Sequence, residues 1–257
     1  MSDSNYPPST ADFVHLHVHS MYSLLNAVPT PKELATVAKA DNQDVLAITD
    51  AGSLYGAIDF YQACIAQDIK PIIGLDAYLS PRTRFDKEMK DRPYSRLVLL
   101  AKTFAGYQNL IEMVTRAYVD GFYYKPRIDE ELIEKHKDDL ICIIPSFAGE
   151  VAQALKDNNP DKAAERLDWY RGVYGDNCYL EISNHQEIFG HNENQQLIKE
   201  LANKTNTALV AAHDVYYINK EDSLTRETMM KIGTGGVVDT TSEHVNSEDF
   251  YFKTQAE

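Results

Sequence analysis

A closed βα barrel is the fold this sequence predicts, on three observations. Short apolar runs of strand period alternate with longer stretches of helical period from residue 13 to about residue 232. About seven such units fit into 257 residues, the length of one barrel domain. Polar residues also fall where the strands end: His17, His19, Asp50, Asp76, Ser146, Glu181, His185, His213 and Asp214. In a parallel barrel those ends meet at one rim, so residues distant in sequence converge there. Asp50 and Ser146, taken singly, would also serve as helix caps.

The first strand is Phe13-Val14-His15-Leu16-His17-Val18-His19. Strict alternation is the period of a half-buried strand, so His15, His17 and His19 project from one face and Val14, Leu16 and Val18 from the other. Three imidazoles in a row are candidate metal ligands, and equally fit a polar strand edge. Thr30-Pro31-Lys32-Glu33 has the capping-box pattern with proline at the first helical position, and Leu34, Val37 and Ala38 supply the apolar stripe of a helix of about three turns. Val45-Leu46-Ala47-Ile48 is a buried strand ending at Thr49-Asp50, and the turn at Gly52-Ser53 leads into a helix over 55–67.

The unit then repeats. A strand over 71–78 is followed by a charged, mobile loop over 82–94, a strand over 97–101 and a helix over 104–118. Residues 120–129 form a tyrosine-rich loop, in which Lys125-Pro126-Arg127 either touches a phosphate or packs on the barrel. Next come a strand over 140–144, helices over 149–156 and 160–173, a strand over 178–182, a helix over 193–206, a strand over 208–212 and a helix over 221–232. Gly233-Thr234-Gly235-Gly236 lacks the lysine of a phosphate-binding P-loop and reads as a turn.

Composition narrows the function. With 39 acidic against 25 basic residues the formal charge is −14, the wrong sign for gripping a nucleic-acid backbone over a broad surface. Any DNA contact must be local or belong to another part of a larger protein. Cys64, Cys142 and Cys178 are far apart, odd in number and form no C-x-x-C pair, which argues against a disulfide framework or a zinc knuckle. No apolar run approaches the roughly 20 residues of a membrane span, and the N-terminus lacks a secretory pattern. A cytoplasmic chain without a membrane partner is expected.

The segments LHVHSMYSLLN, VLAITDAGSLYGAIDFY, IKPIIGLDAYL, LVLLAKT, GFYYKPRID, FAGE and HDVYYINKED, in that order, closely resemble the N-terminal PHP (polymerase and histidinol phosphatase) domains of bacterial DNA polymerase III alpha subunits, the replicative C-family polymerases. The resemblance covers nearly all of residues 13–254, and GFYYKPRID and YYINKED are features of the polymerase branch rather than of stand-alone histidinol phosphatases. It implies an α/β fold, a distorted seven-stranded (βα) barrel. Residues 1–12 read as a disordered leader, and the resemblance implies a PHP domain over 13–257, the N-terminal fragment of a much longer polymerase subunit. In that family the carboxylates of nucleotide transfer lie beyond this stretch, so no polymerase activity is expected of it alone.

Active PHP domains hold up to three divalent ions at the rim through nine ligand positions that open with H-x-H, and such a cluster hydrolyses phosphate esters. The resemblance places His17 and His19 at the opening pair, Asp214 at the usual Asp, and Asp76 where a Glu is usual. The other positions have changed type. Asn26 replaces an acid, Ala51 a histidine, Arg96 a histidine, Ser146 a cysteine or histidine, and Tyr216 the final histidine. Alanine offers no lone pair, a guanidinium keeps its proton, and an amide or phenol is a poor substitute for a carboxylate or imidazole. The expectation is a degenerate site with no intact catalytic set: no ion bound, or at most one zinc or manganese at His17, His19, Asp76 and Asp214.

Arg96 is expected to pair with Asp76, and with Asp50 as a further partner, supplying charge without a Lewis acid. The alternative is a solvent-facing arginine. His15 and His213 read as structural residues, and His185 as lining the mouth. The function implied is a scaffold and docking module for a separate proofreading exonuclease subunit, epsilon, beside the remaining polymerase domains, with DNA met through the holoenzyme. The alternatives are a metal-dependent 3′-to-5′ exonuclease or phosphoesterase run from the residual site, and a small-phosphate phosphatase.

Overall fold

The computed structural model describes residues 9–185, 188–233 and 249–257. Residues 1–8 of the leader and residues 234–236 of the glycine-rich turn lie outside them. Within the leader, the Thr10 N–H donates to Asp44 at 2.8 Å and the Asp12 N–H to Gln255 at 2.7 Å.

β1 (His17–Val18) leads to α1 (Pro31–Ala40), whose capping box forms as its sequence dictates: Thr30 Oγ1 accepts the Glu33 N–H at 3.2 Å and Glu33 Oε2 accepts the Thr30 N–H at 2.8 Å. β2 (Val45–Ile48), α2 (Ala57–Ile65), β3 (Lys70–Leu79), β4 (Ser95–Ala101) and α3 (Phe104–Val119) follow. Next come β5 (Arg127–Ile128), α4 (Glu130–Lys135), β6 (Leu140–Ile144), α5 (Glu150–Lys156) and α6 (Pro160–Tyr174). β7 (Cys178–Ile182), α7 (His191–Thr205), β8 (Ala208–Ala211), β9 (Asp214–Val215) and α8 (Ser223–Gly233) complete the described elements. The short β5 lies where the sequence reads as loop, and α4 follows in a stretch given no element; it starts because the Asp129 side chain accepts the Leu132 N–H at 3.1 Å.

The sheet order is β2-β3-β4-β6-β7-β8, with β5 added to β3. β9 pairs in parallel with β1, and β1 is tied to β2 by Ala47 N–H to His15 O at 3.0 Å and Thr49 N–H to Val18 O at 2.7 Å. The two edges of the sheet therefore meet through β1. With β8 and β9 counted as one interrupted strand, seven strands circle a common core, a distorted seven-stranded (βα) barrel.

Side chains alternate as the pleat requires. Ala47, Val98, Leu100 and Ile143 fill the interior, while Leu75, Leu97, Leu99, Cys142 and Leu180 point outward under α3, α5, α6 and α7. Val18, Leu46 and Ile48 meet Leu34 and Phe60 of α1 and α2 in a second cluster. The alternation expected of residues 13–19 does not persist: β1 is two residues long, and His15 packs on Phe252 at 4.1 Å with its Nε2 2.8 Å from Lys253 O. No helix among the described residues is long and apolar enough to cross a membrane.

Two expectations about the sheet and its loops change. The strand pattern implies a parallel sheet, but β4 runs antiparallel to both β3 and β6. A parallel return needs a crossover, usually a helix, and residues 80–94 supply none. That stretch is not the free loop its charges suggest. Arg127, fully buried, donates to Asp86 O and Asp91 O at 2.8 Å; Arg82 grips Asp91 at 2.6 and 2.7 Å; Arg84 donates to Asp129 at 2.7 Å. The chain is held at the end where β3 finishes and re-enters from there. Arg96, near the start of β4, consequently sits opposite Tyr78 near the end of β3.

Candidate metal centre

The barrel mouth collects His17, His19, Asp76, Arg96, Glu181 and Asp214, from five different strands or their ends. Five are buried, and the Arg96 side chain is 11% exposed. His17 Nε2 lies 3.3 Å from Asp76 Oδ2 and 3.5 Å from Asp214 Oδ1, and its Nδ1 lies 3.0 Å from Glu181 Oε2. His19 Nε2 is 2.9 Å from the same Asp76 oxygen, and its Nδ1 is 3.1 Å from Val215 O and 3.3 Å from Asp214 Oδ1. The parallel register of β1 with β9 sets His17 against Asp214.

Arg96 takes Asp76 in both hands: Nε donates to Oδ1 at 2.8 Å and Nη2 donates to Oδ2. Its guanidinium also lies over the Tyr78 ring, 4.4 Å from the centroid. Burial alone would raise the Asp76 carboxyl. The Arg96 charge, followed by the two imidazoles, outweighs it and holds the pKa well below the usual range. Burial also works against a charged His17, but Asp214, Glu181 and Asp76 overcome it and lift the imidazole well above its ordinary value. The Arg96 guanidinium thus stands as a fixed cation among the carboxylates of the mouth.

The remaining predicted positions hold other partners. The Asn26 carbonyl and side-chain oxygens accept from Arg226 at 3.0 and 3.4 Å. Ala51 has no donor atom to offer, and its N–H donates to Ser23 Oγ at 3.0 Å. Ser146 donates both its N–H and its hydroxyl to Glu181 Oε1, at 3.0 and 2.9 Å. Tyr216 lies flat on His19, ring centroids 4.2 Å apart, with the Arg226 guanidinium 3.8 Å over its own ring.

One expectation for the rim fails. Asp50 does not pair with Arg96; its oxygens accept the Ser20 N–H at 2.7 Å, the Ser20 hydroxyl at 2.9 Å and the Ser23 hydroxyl at 2.7 Å. Burial nevertheless raises its pKa. His185 packs edge-on to Phe147 and face to face with His213, ring centroids 4.8 Å away in each case, with Asp249 3.2 Å from its Nδ1.

The ligand atoms of His17, His19 and Asp214 all lie within 4.8 Å of one another. That donor set fits one divalent ion, with imidazole and carboxylate ligands. Asp76 is beside it, but both its oxygens face the guanidinium. Sequence reasoning did not single out Glu181 as a site residue, although it stands at a strand end; it fixes His17 through Nδ1 and ties Ser146 to the same carboxylate. Arg226 was missed as well, since its role depends on how α8 packs over Asn26 and Tyr216.

A family profile for the PHP domain matches residues 15–185. DNA polymerase III alpha subunits of Treponema pallidum and Thermus aquaticus are 38% and 36% identical to this chain over 249 and 255 residues, covering 94% and 97% of it and 21% of each relative. That of Borreliella burgdorferi is 36% identical over 252 residues, covering 95% of the chain and 22% of the relative. The chain thus spans about a fifth of the length of the curated relatives it matches. Among solved structures, a two-domain protein containing a predicted PHP-like metal-dependent phosphoesterase from Bacteroides vulgatus aligns with a TM-score of 0.48 at 10% identity, over 81% of this chain and 53% of that one. An amidohydrolase from Chromobacterium violaceum aligns with a TM-score of 0.44 at 14% identity, over 79% and 87%. The chain belongs to the PHP domain family.

Proposed function

We propose that this PHP-family chain is the N-terminal domain of a DNA polymerase III alpha subunit, that its rim has given up multinuclear hydrolysis, and that it serves as scaffold and docking face for a proofreading exonuclease subunit. The observation that carries this reading is the bidentate Arg96–Asp76 pair. The Asp76 carboxylate, one of the four ligand positions that keep their type, is instead neutralised by a guanidinium, which supplies positive charge but accepts no electron pair. An exonuclease acting in trans, epsilon, makes the barrel's own chemistry dispensable. The remaining polymerase domains are its other partners, and DNA is met through the holoenzyme.

The test is metal content after equilibration with Mn²⁺ and Zn²⁺, together with a 3′-to-5′ degradation assay on labelled single strands. No degradation and at most one ion per chain are expected. Two or more ions per chain would overturn the reading. Titration calorimetry with the exonuclease subunit of the same polymerase tests docking, with saturable binding expected.

A second reading is favoured by the spacing of His17, His19 and Asp214. In it these three residues hold a single zinc or manganese ion and the domain is a phosphodiesterase. The ion would polarise a phosphate ester and acidify a bound water. Glu181 would then hold His17 by Nδ1 so that Nε2 faces the site. Mn²⁺-dependent removal of 3′ nucleotides, abolished by His17→Ala, would decide for it.

A further inference from the structure

Beside the mouth, on the 82–94 loop, the tyrosine-rich loop and the end of α3, lies a face that the metal chemistry does not use. Tyr94, Tyr118, Phe122 and Tyr124 are 39%, 37%, 50% and 58% exposed. Tyr118 and Phe122 lie near-parallel with centroids 6.2 Å apart, and Tyr94 meets Tyr78 edge-on at 4.9 Å. Two cations are interleaved with them. The Arg92 guanidinium lies 4.9 Å above the Tyr124 ring, and Lys125 Nζ lies 5.4 Å from the centroid of Tyr78.

Arg82, Arg84, Arg96, Arg116 and Arg166 each meet a carboxylate, whereas Arg92 and Lys125 have none within 4.0 Å among the described residues. The backbone is also unusual here. Tyr124 has φ +60°, a left-handed conformation uncommon for a bulky residue, in a tight turn where the Tyr123 N–H donates to Lys125 O at 3.0 Å. Sustaining that turn keeps the Tyr124 ring turned outward under Arg92. Tyr78 connects this face to the rim, since its ring is flanked by Arg96 on one side and approached by Lys125.

We propose that this face binds single-stranded nucleic acid, with bases stacked on Tyr124 and Tyr94 and phosphates held by Arg92 and Lys125. Exposed aromatic faces stack on any base, and unpaired cations between them track the backbone. A duplex presents no open base faces, and two cations on an acidic protein are too few to hold one by charge alone. The inference stands whether or not the rim holds an ion.

The test is fluorescence anisotropy of a labelled oligothymidylate of about 12 nucleotides at about 20 mM salt, with a duplex of equal length for comparison. Single-strand binding in preference to duplex is expected. Tyr124→Asn removes the ring, and asparagine tolerates the left-handed backbone. It should weaken binding by about tenfold or more, the effect of losing one base–aromatic stack. The double variant Arg92→Ala/Lys125→Ala should lower the slope of log affinity against log salt by about 1.4, at about 0.7 per phosphate contact. Circular dichroism confirms that the variants stay folded. No binding at low salt, preference for duplex, or unchanged binding in either variant overturns the proposal and leaves the face to a protein partner.

Discussion

Two arginines near one end of this barrel, one buried and one largely so, are held in opposite ways. Arg96 at the mouth is bound to a carboxylate, Asp76, by two hydrogen bonds. Arg127, behind the 82–94 loop, is bound to carbonyls: Gly121 O at 3.1 Å, Asp91 O and Asp86 O at 2.8 Å. Burial and the Asp76 charge act in opposition on Arg96, and its pKa ends well above the ordinary value; for Arg127 burial dominates and the pKa is lowered. The first arginine answers a charge requirement left by the acids of the rim. The second answers a hydrogen-bonding requirement left by a loop without regular structure. One side chain therefore serves as counter-ion in one place and as a staple in the other.

Removing each should separate those roles. Arg96→Met strands the Asp76 carboxylate, and a loss of about 3–5 kcal/mol in denaturant unfolding is expected, the cost of breaking a buried pair from one side. It also frees both Asp76 oxygens, so Mn²⁺ should raise the unfolding midpoint of the variant more than that of the parent. If the variant unfolds like the parent, Arg96 is not the counter-ion of the rim.

Arg127→Met leaves the Asp86 and Asp91 carbonyls without their donor and Gly121 O with only the residue 127 N–H at 3.4 Å, at about 1 kcal/mol each and about 2–3 kcal/mol together. Its signature is local: limited proteolysis should cut within 82–94, whereas the Arg96 variant keeps that loop protected. Arg84→Ala is intermediate, at about 2 kcal/mol, because Asp129 loses one charged donor but keeps the Arg84 N–H at 2.8 Å and still caps α4. Arg116→Ala, which deletes an exposed helical pair with Glu112, should cost about 0.3–0.5 kcal/mol and sets the surface baseline. A cost for Arg116 comparable to that for Arg84 would remove the distinction between buried and exposed arginines.

Local signals were legible where a short stretch satisfies itself. The capping box at Thr30, the four-residue strand at 45–48 and the strand at 140–144 depend on neighbours in sequence, and they stand where periodicity puts them. The direction of β4 was not legible, because a period-two pattern reads the same for parallel and antiparallel strands. The pairing of Asp50 with Ser20 and Ser23 was not legible either. Two hydroxyls and an N–H within six residues of β1 compete for that carboxylate, and proximity in the fold decides against Arg96. Nor were the ring contacts of His185 with Phe147 and His213 legible, because a residue after a strand end takes its neighbours from the fold.

The sequence by itself determined the barrel class and the stretches that bring histidines and carboxylates to its mouth, because hydrophobic period and helix caps are local physics. Tertiary structure alone decided which oxygens those groups still have free. Hydrogen bonds are saturable, and whether Asp76 faces a guanidinium or an open site depends on a strand entering from the opposite end.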